Sequence, residues 1–213
     1  MNIVWFRNDL RVRDNPALFY ALKDKNLKVR AVFCIAEKQW RAHGWGDNKV
    51  GFVLRLALSL QEELAKLNIP LDFLDATDFN QTVTRLSAYC ENHKAQCVYF
   101  NKEYELNEQQ RDQQFKKKVK AKQIACKTFD EQLIVPPGDI LTKQATPYTV
   151  FTPFKKSWDI YVSQNGVEVL KKPNKQAAAL EKNTPLPKKF NKYLDTAIQA
   201  QWPASEQAAS QRL

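Results

Sequence analysis

The stretch that decides the fold is "VWFRNDLRVRDNPAL", residues 4 to 18. Val4, Trp5 and Phe6 end an apolar run that begins at Asn2 and reads as a buried strand. Asn15 followed by Pro16 then supplies an N-cap and a first helical position. Strand, turn and helix in this order open a βαβ unit. The turn carries Arg7, Asp9, Arg11, Arg13 and Asp14 where a dinucleotide-binding unit places glycines. No G-x-G-x-x-G follows the strand, so no pyrophosphate cradle is read there. Asp9 and Asp14 are placed to neutralise Arg7, Arg11 and Arg13, since charges in a partly covered loop need partners. The turn reads as an ion-paired brace.

Working outward, apolar runs that suit buried parallel strands recur at residues 2 to 6, 29 to 35, 69 to 74 and 97 to 100, with a weaker run at 125 to 129. Val50, Val53, Leu54, Ala57, Leu60, Leu64 and Leu67 follow helical spacing, and Val83, Leu86 and Cys90 mark another helix. A third is expected to start at Asn107, where Asn-x-x-Gln gives an N-cap and a capping-box partner, and to run past Phe115 and Val119. The pattern predicts an α/β fold: a doubly wound, Rossmann-like, five-stranded parallel sheet over residues 1–130. Residues 131–163 hold Pro136, Pro137, Gly138, Pro147 and Pro153 among many apolar residues, and read as a long ordered loop lying on a surface. Residues 164–202, rich in lysine, alanine and proline, read as an interdomain linker. Residues 203–213 read as the first turns of a helix belonging to a further domain, too short to be stable unaided.

Composition narrows the function classes. The apolar fraction of 44% is that of an ordinary globular protein, and no apolar run approaches the roughly 20 residues of a membrane span. A cytoplasmic protein without a membrane partner is expected. Cys34, Cys90, Cys97 and Cys126 never form C-x-x-C and read as reduced thiols; with only two histidines, His43 and His93, neither a metal site nor a histidine-dependent nucleophile is expected. The formal net charge is +10, and the excess clusters at "KKKVKAK" (116 to 122) and "KKPNK" (171 to 175). Such clusters make nucleic acid a candidate partner, although a solvated lysine face explains the charge alone more simply.

The opening stretch resembles the N-terminal signature of the DNA photolyase and cryptochrome family. The resemblance continues in order through "EKQW" (37 to 40), "NKEYELNEQQRD" (101 to 112), "LIVPPG" (133 to 138) and "YTVFTPFKKSW" (148 to 158). It is greatest to bacterial cyclobutane-pyrimidine-dimer photolyases with a folate antenna. It implies an antenna-binding α/β domain whose parent is a monomeric, light-driven DNA repair enzyme. In that parent a helical domain binds FAD and the damaged DNA, and nothing in this chain matches those segments, so no catalytic residue is assigned. The cryptochrome photoreceptors share the scaffold and are the first alternative; a free-standing nucleotide-binding α/β protein is the second and is opposed by the missing glycine loop.

By the same resemblance Asn107 and Glu108 are expected to contact the pterin of methenyltetrahydrofolate, and His43 to line the antenna site. The residues agree on their own terms. A helix start after a central strand lies at the carboxyl edge of the sheet, and an amide beside a carboxylate suits a ring edge offering donors and acceptors. The competing reading is that Asn107 caps the helix and Glu108 favours its dipole. Trp40 and Trp45 are read as packing residues. With the helical domain's contacts missing, only a half-site remains, so weak folate binding or none is expected. Tyr148, Phe151, Phe154 and Trp158 are expected to dock the crossing loop and to be partly exposed.

Overall fold

The apolar runs become five strands: β1 (Asn2–Phe6), β2 (Val29–Ile35), β3 (Leu71–Asp75), β4 (Cys97–Asn101) and β5 (Ala125–Phe129). All pair in parallel, in the order β3-β2-β1-β4-β5. The computed structural model describes residues 1–195 and 198–212. Thr196 and Ala197 of the expected linker, and Leu213 of the expected final helix, lie outside the described residues.

Alternation along each central strand feeds two cores. Val4, Phe6, Ala31, Phe33 and Ile35 meet helices α1 (Pro16–Ala21) and α3 (Asp47–Lys66) on one face. Ile3, Trp5, Val32, Cys34, Val98 and Phe100 meet α4 (Phe79–Asn92) and α5 (Leu106–Lys120) on the other. Burial on both faces is why β1, β2 and β4 read as unbroken apolar runs instead of alternating ones. The Asn15 cap is formed as the sequence dictates: its side-chain oxygen accepts from the Leu18 N–H at 3.1 Å, and Pro16 opens α1. A short helix α2 (Glu37–Ala42), where no element was expected, follows β2.

Three expectations are corrected. Helix α5 starts at Leu106 with Glu105 at the N-cap position and no side-chain cap bond, so Asn107 lies inside the first turn and does not cap it. The Asn107 amide is directed sideways to His43 instead. Residues 131–163, read as irregular, contain most of helix α6 (Phe151–Asn165). Pro153 sits in its first turn, where a missing N–H costs nothing, and with no residue of α6 buried there is no apolar stripe to announce it.

The third correction concerns the expected linker, whose residues 170–193 lie against the α/β core as a strap. Gln176 exchanges two hydrogen bonds with the Val29 backbone, at 2.9 and 3.1 Å. Thr184 accepts from the Phe73 N–H at 3.2 Å and donates its own N–H to Asp72. A 3-10 helix (Lys188–Tyr193) then buries Phe190 completely and Tyr193 nearly so against α3. Gly51 of α3 makes this approach possible, because a Cβ there would overlap the Tyr193 carbonyl oxygen. Beyond the strap, α7 (Glu206–Arg212) presents the Glu206 carboxylate to the backbone N–H groups of Val12 and Arg13.

Candidate functional site

Strands β2 and β3 run to one side of β1 and β4 returns to the other, so the winding reverses between β1 and β4. At such a point the loops after adjacent strands diverge and leave a crevice at the carboxyl edge of the sheet. Here the crevice is bordered by Arg7 and Asn8 after β1, Ala36 and Trp40 after β2, Phe79 at the start of α4, and Glu103 after β4. Asn101 ties two of these loops together: its amide donates to Asp9 at 2.6 Å, and its oxygen accepts from the Ala17 N–H at 3.1 Å.

The floor of the crevice is a buried ion quartet. One Arg7 nitrogen donates to both oxygens of Asp112 at 2.9 and 2.8 Å, and the Arg7 Nε lies 3.5 Å from Glu103. Arg111 donates to Glu103 at 2.6 Å and to Asp112 at 2.8 Å. Both guanidiniums also lie 4.7 Å from the centre of the Trp5 ring, which accounts for a buried Arg7 nitrogen without a hydrogen-bond partner. These pairings overturn the expected ones. The short Asp9 and Asp14 side chains serve backbone and amide groups: Asp9 accepts from the Arg7 N–H at 2.8 Å and from Asn15 at 3.2 Å, and Asp14 from the Leu170 N–H at 2.9 Å. The longer guanidiniums reach across the sheet edge, Arg7 to Asp112 and Arg11 to Glu131. Charges buried this deeply gain little net stability, but they impose one arrangement. The crevice above them has a volume of about 50 Å³ and is partly open to solvent.

Above the quartet the three residues singled out in the sequence converge. The His43 Nε2 lies 3.2 Å from the Asn107 amide nitrogen and 2.9 Å from that of Gln39; His43 Nδ1 lies 3.7 Å from the Glu108 carboxylate. With both amides donating to Nε2, the neutral ring carries its proton on Nδ1, facing Glu108. The Phe79 ring meets the His43 ring edge to face at 6.0 Å. Burial pushes the Glu108 carboxyl above the ordinary glutamate range, and Glu103 adds to the shift. Trp40 and Trp45 stack at 5.0 Å, and Trp40 is buried, so these two do pack. Asn107 opens onto an adjoining shallow cleft of about 320 Å³, bordered also by Gln39, Phe79, Gln110 and Arg111. Gln39, Phe79, Glu103 and Arg111 escaped the sequence reading. Arg111 had a signal, since it follows Asn107 by four residues and Glu108 by three and so shares their helical face.

The family model for DNA photolyase matches residues 2–174. The chain belongs to the DNA photolyase family. It is 36% identical over 157 residues to a deoxyribodipyrimidine photo-lyase of Salmonella typhimurium, covering 74% of this chain and 33% of that protein. Against the enzyme of the same name from Buchnera aphidicola it is 39% identical over 155 residues, covering 73% and 32%. The chain thus spans about a third of the length of these photolyase relatives. Among solved structures, a class III photolyase from Agrobacterium tumefaciens matches with a TM-score of 0.69 at 22% identity, over 92% of this chain and 39% of that one. A cryptochrome from Synechocystis matches equally well, TM-score 0.69 at 21% identity, over 89% and 40%. At such identities the two structures speak for the fold alone. Within this photolyase domain, "NKEYELNEQQRD" builds the end of β4, the turn that supplies Glu103 and the start of α5 that supplies Asn107, Glu108, Arg111 and Asp112.

Proposed function

We propose that this chain is the antenna-binding α/β part of a deoxyribodipyrimidine photo-lyase, the flavin and the pyrimidine dimer being held by the part of the enzyme that these 213 residues do not span. The convergence of His43, Asn107 and Glu108 beside an open cleft carries the reading. The curated relatives are named photo-lyases, which favours repair over the photoreceptor alternative that the fold alone would allow. Residues 1–130 form the antenna domain, 131–163 the crossing segment, 164–202 the connecting strap and 203–213 the approach to the helical domain.

The donor set fits methenyltetrahydrofolate. Glu108, on the crevice side, accepts from ring N–H groups, the Asn107 amide, on the cleft side, offers one donor and one acceptor, and His43 lies against both side chains. When bound, a folate antenna supplies absorption of near-ultraviolet light and passes the excitation to the flavin. The ion quartet floors the crevice and leaves it only about 50 Å³, so the ligand is held at the rim.

Titration of the chain with methenyltetrahydrofolate, followed by fluorescence, tests this. Weak saturable binding is expected, reduced roughly 10–100-fold in Asn107→Ala and Glu108→Gln, as for loss of a hydrogen bond to a charged group. Affinity unchanged from the parent chain in both variants rejects the reading. The pH dependence has a definite sign. Donors on the ligand favour ionised Glu108, so affinity falls as pH drops through a range above that of an ordinary glutamate. Glu108→Gln removes that fall.

A further inference from the structure

The lysines of this chain are most concentrated around β5. Along the strap seven lysines are spread over 22 residues and three of them bind the protein's own carboxylates: Lys172 to Glu63 at 3.1 Å, Lys189 to Asp75 at 2.6 Å and Lys192 to Glu37 at 3.7 Å. Around β5 the lysines are packed more closely. Residues 116 to 127 hold six lysines and no acidic residue. Lys122 pairs with Glu91, and Lys118 donates to the Thr84 hydroxyl at 3.3 Å. Lys116, Lys117, Lys120 and Lys127 have no carboxylate partner among the described residues.

These four lie along one edge of the molecule. Lys116 sits 5.5 Å from the Phe100 ring and Lys127 5.5 Å from the Tyr99 ring. Tyr99 and Phe100 are consecutive in β4 and point to opposite faces, so the two ammonium groups straddle β5 above and below. Lys117 and Lys120 extend the charge along the last turns of α5. From Lys116 to Lys120 the helix rises about 6 Å, close to two phosphate steps of about 3.4 Å along one strand of a duplex. A helix dipole favours lysines in a last turn, and a lysine on an edge strand discourages strand pairing. Neither role calls for six lysines within twelve residues and no acidic residue among them.

We infer that the β5 edge, through Lys116, Lys117, Lys120 and Lys127, is a contact surface for the sugar-phosphate backbone of duplex DNA. It lies on the α/β domain and needs neither a lesion nor a flavin. The photo-lyase reading enters only in the choice of DNA as the polyanion. Four phosphates neutralised here release their counterions, so the affinity falls with salt with a slope of roughly −0.9 per contact.

The test is fluorescence anisotropy of a labelled, undamaged duplex with the 213-residue chain. One variant carries Lys116→Gln, Lys117→Gln, Lys120→Gln and Lys127→Gln. A second carries Lys171→Gln, Lys175→Gln, Lys182→Gln and Lys188→Gln, which removes the same charge from exposed lysines of the strap. All eight side chains are outside the cores, and circular dichroism checks that both variants fold. The first variant is expected to bind at least tenfold more weakly at low salt, with a log-log salt slope shallower by roughly 3–4; the second stays near the parent chain. Equal losses in both would show that net charge alone attracts DNA, and would overturn the inference. No loss in the first, no binding by the parent chain, or binding to phosphatidylserine vesicles in place of DNA would overturn it too. None of these results touches the folate titration, so the two proposals fail separately.

Discussion

At the β3 edge of the sheet, residues 176 to 193 return from far along the chain to cover the outermost strand, while at the β5 edge the outermost strand is left half exposed and flanked by lysines. Both edges belong to one parallel sheet and both present backbone groups that another strand can pair with. The β3 edge is closed by covalently attached chain: Phe73 finds its acceptor in Thr184, and Arg30 and Asp72, buried together at 2.6 Å, draw in Glu181 and the Thr184 N–H. The β5 edge is protected by charge. The difference teaches that an edge can be guarded by burial or by repulsion, and that only the second leaves a surface free for a partner.

The largest effect is expected where the closed edge is opened. Phe190→Ala removes a fully buried ring from beneath the strap and should cost roughly 3–5 kcal/mol in chemical denaturation. A loss below about 1 kcal/mol would mean that the strap opens on its own and that the β3 edge is not closed in solution. Gly51→Ala should cost roughly 1–3 kcal/mol, because the new methyl meets the Tyr193 carbonyl and the strap has to move. Limited proteolysis should then cut between residues 176 and 193 faster than in the parent chain. At the open edge the stability change should be small. Lys127→Val is expected to stay within roughly 0.5 kcal/mol of the parent yet to raise self-association in sedimentation experiments. No increase in self-association over the parent would show that the lysine is not what guards β5.

Legibility followed the same division. Strands buried on both faces are written as continuous apolar runs, so the sheet and its parallel sense could be read before any coordinate. The Asn15–Pro16 start of α1 was local and therefore also legible. What failed was each feature whose partner is remote in sequence. Arg7 pairs with Asp112 across 105 positions, and Asn107 meets His43 across 64, which no capping rule foresees. The strap looked like a free tether because its anchors, Leu170, Phe190 and Tyr193, are too sparse to make a period. Helix α6 was hidden by Pro153 in its first turn and by a lack of buried residues. The candidate site stood between these cases. Its residue types and their place at the sheet edge were readable, but the ion quartet that floors the crevice beside them was not.

The order in which these pieces are synthesised adds a consequence. Phe73 leaves the ribosome long before Thr184, whose carbonyl accepts its N–H. At about 5–20 residues per second, that separation leaves β3 uncovered for roughly 6–22 seconds, far longer than the microseconds a small element needs to form. The nascent sheet therefore spends seconds with an unguarded edge on the β3 side, while β5 carries its charges from the moment it appears.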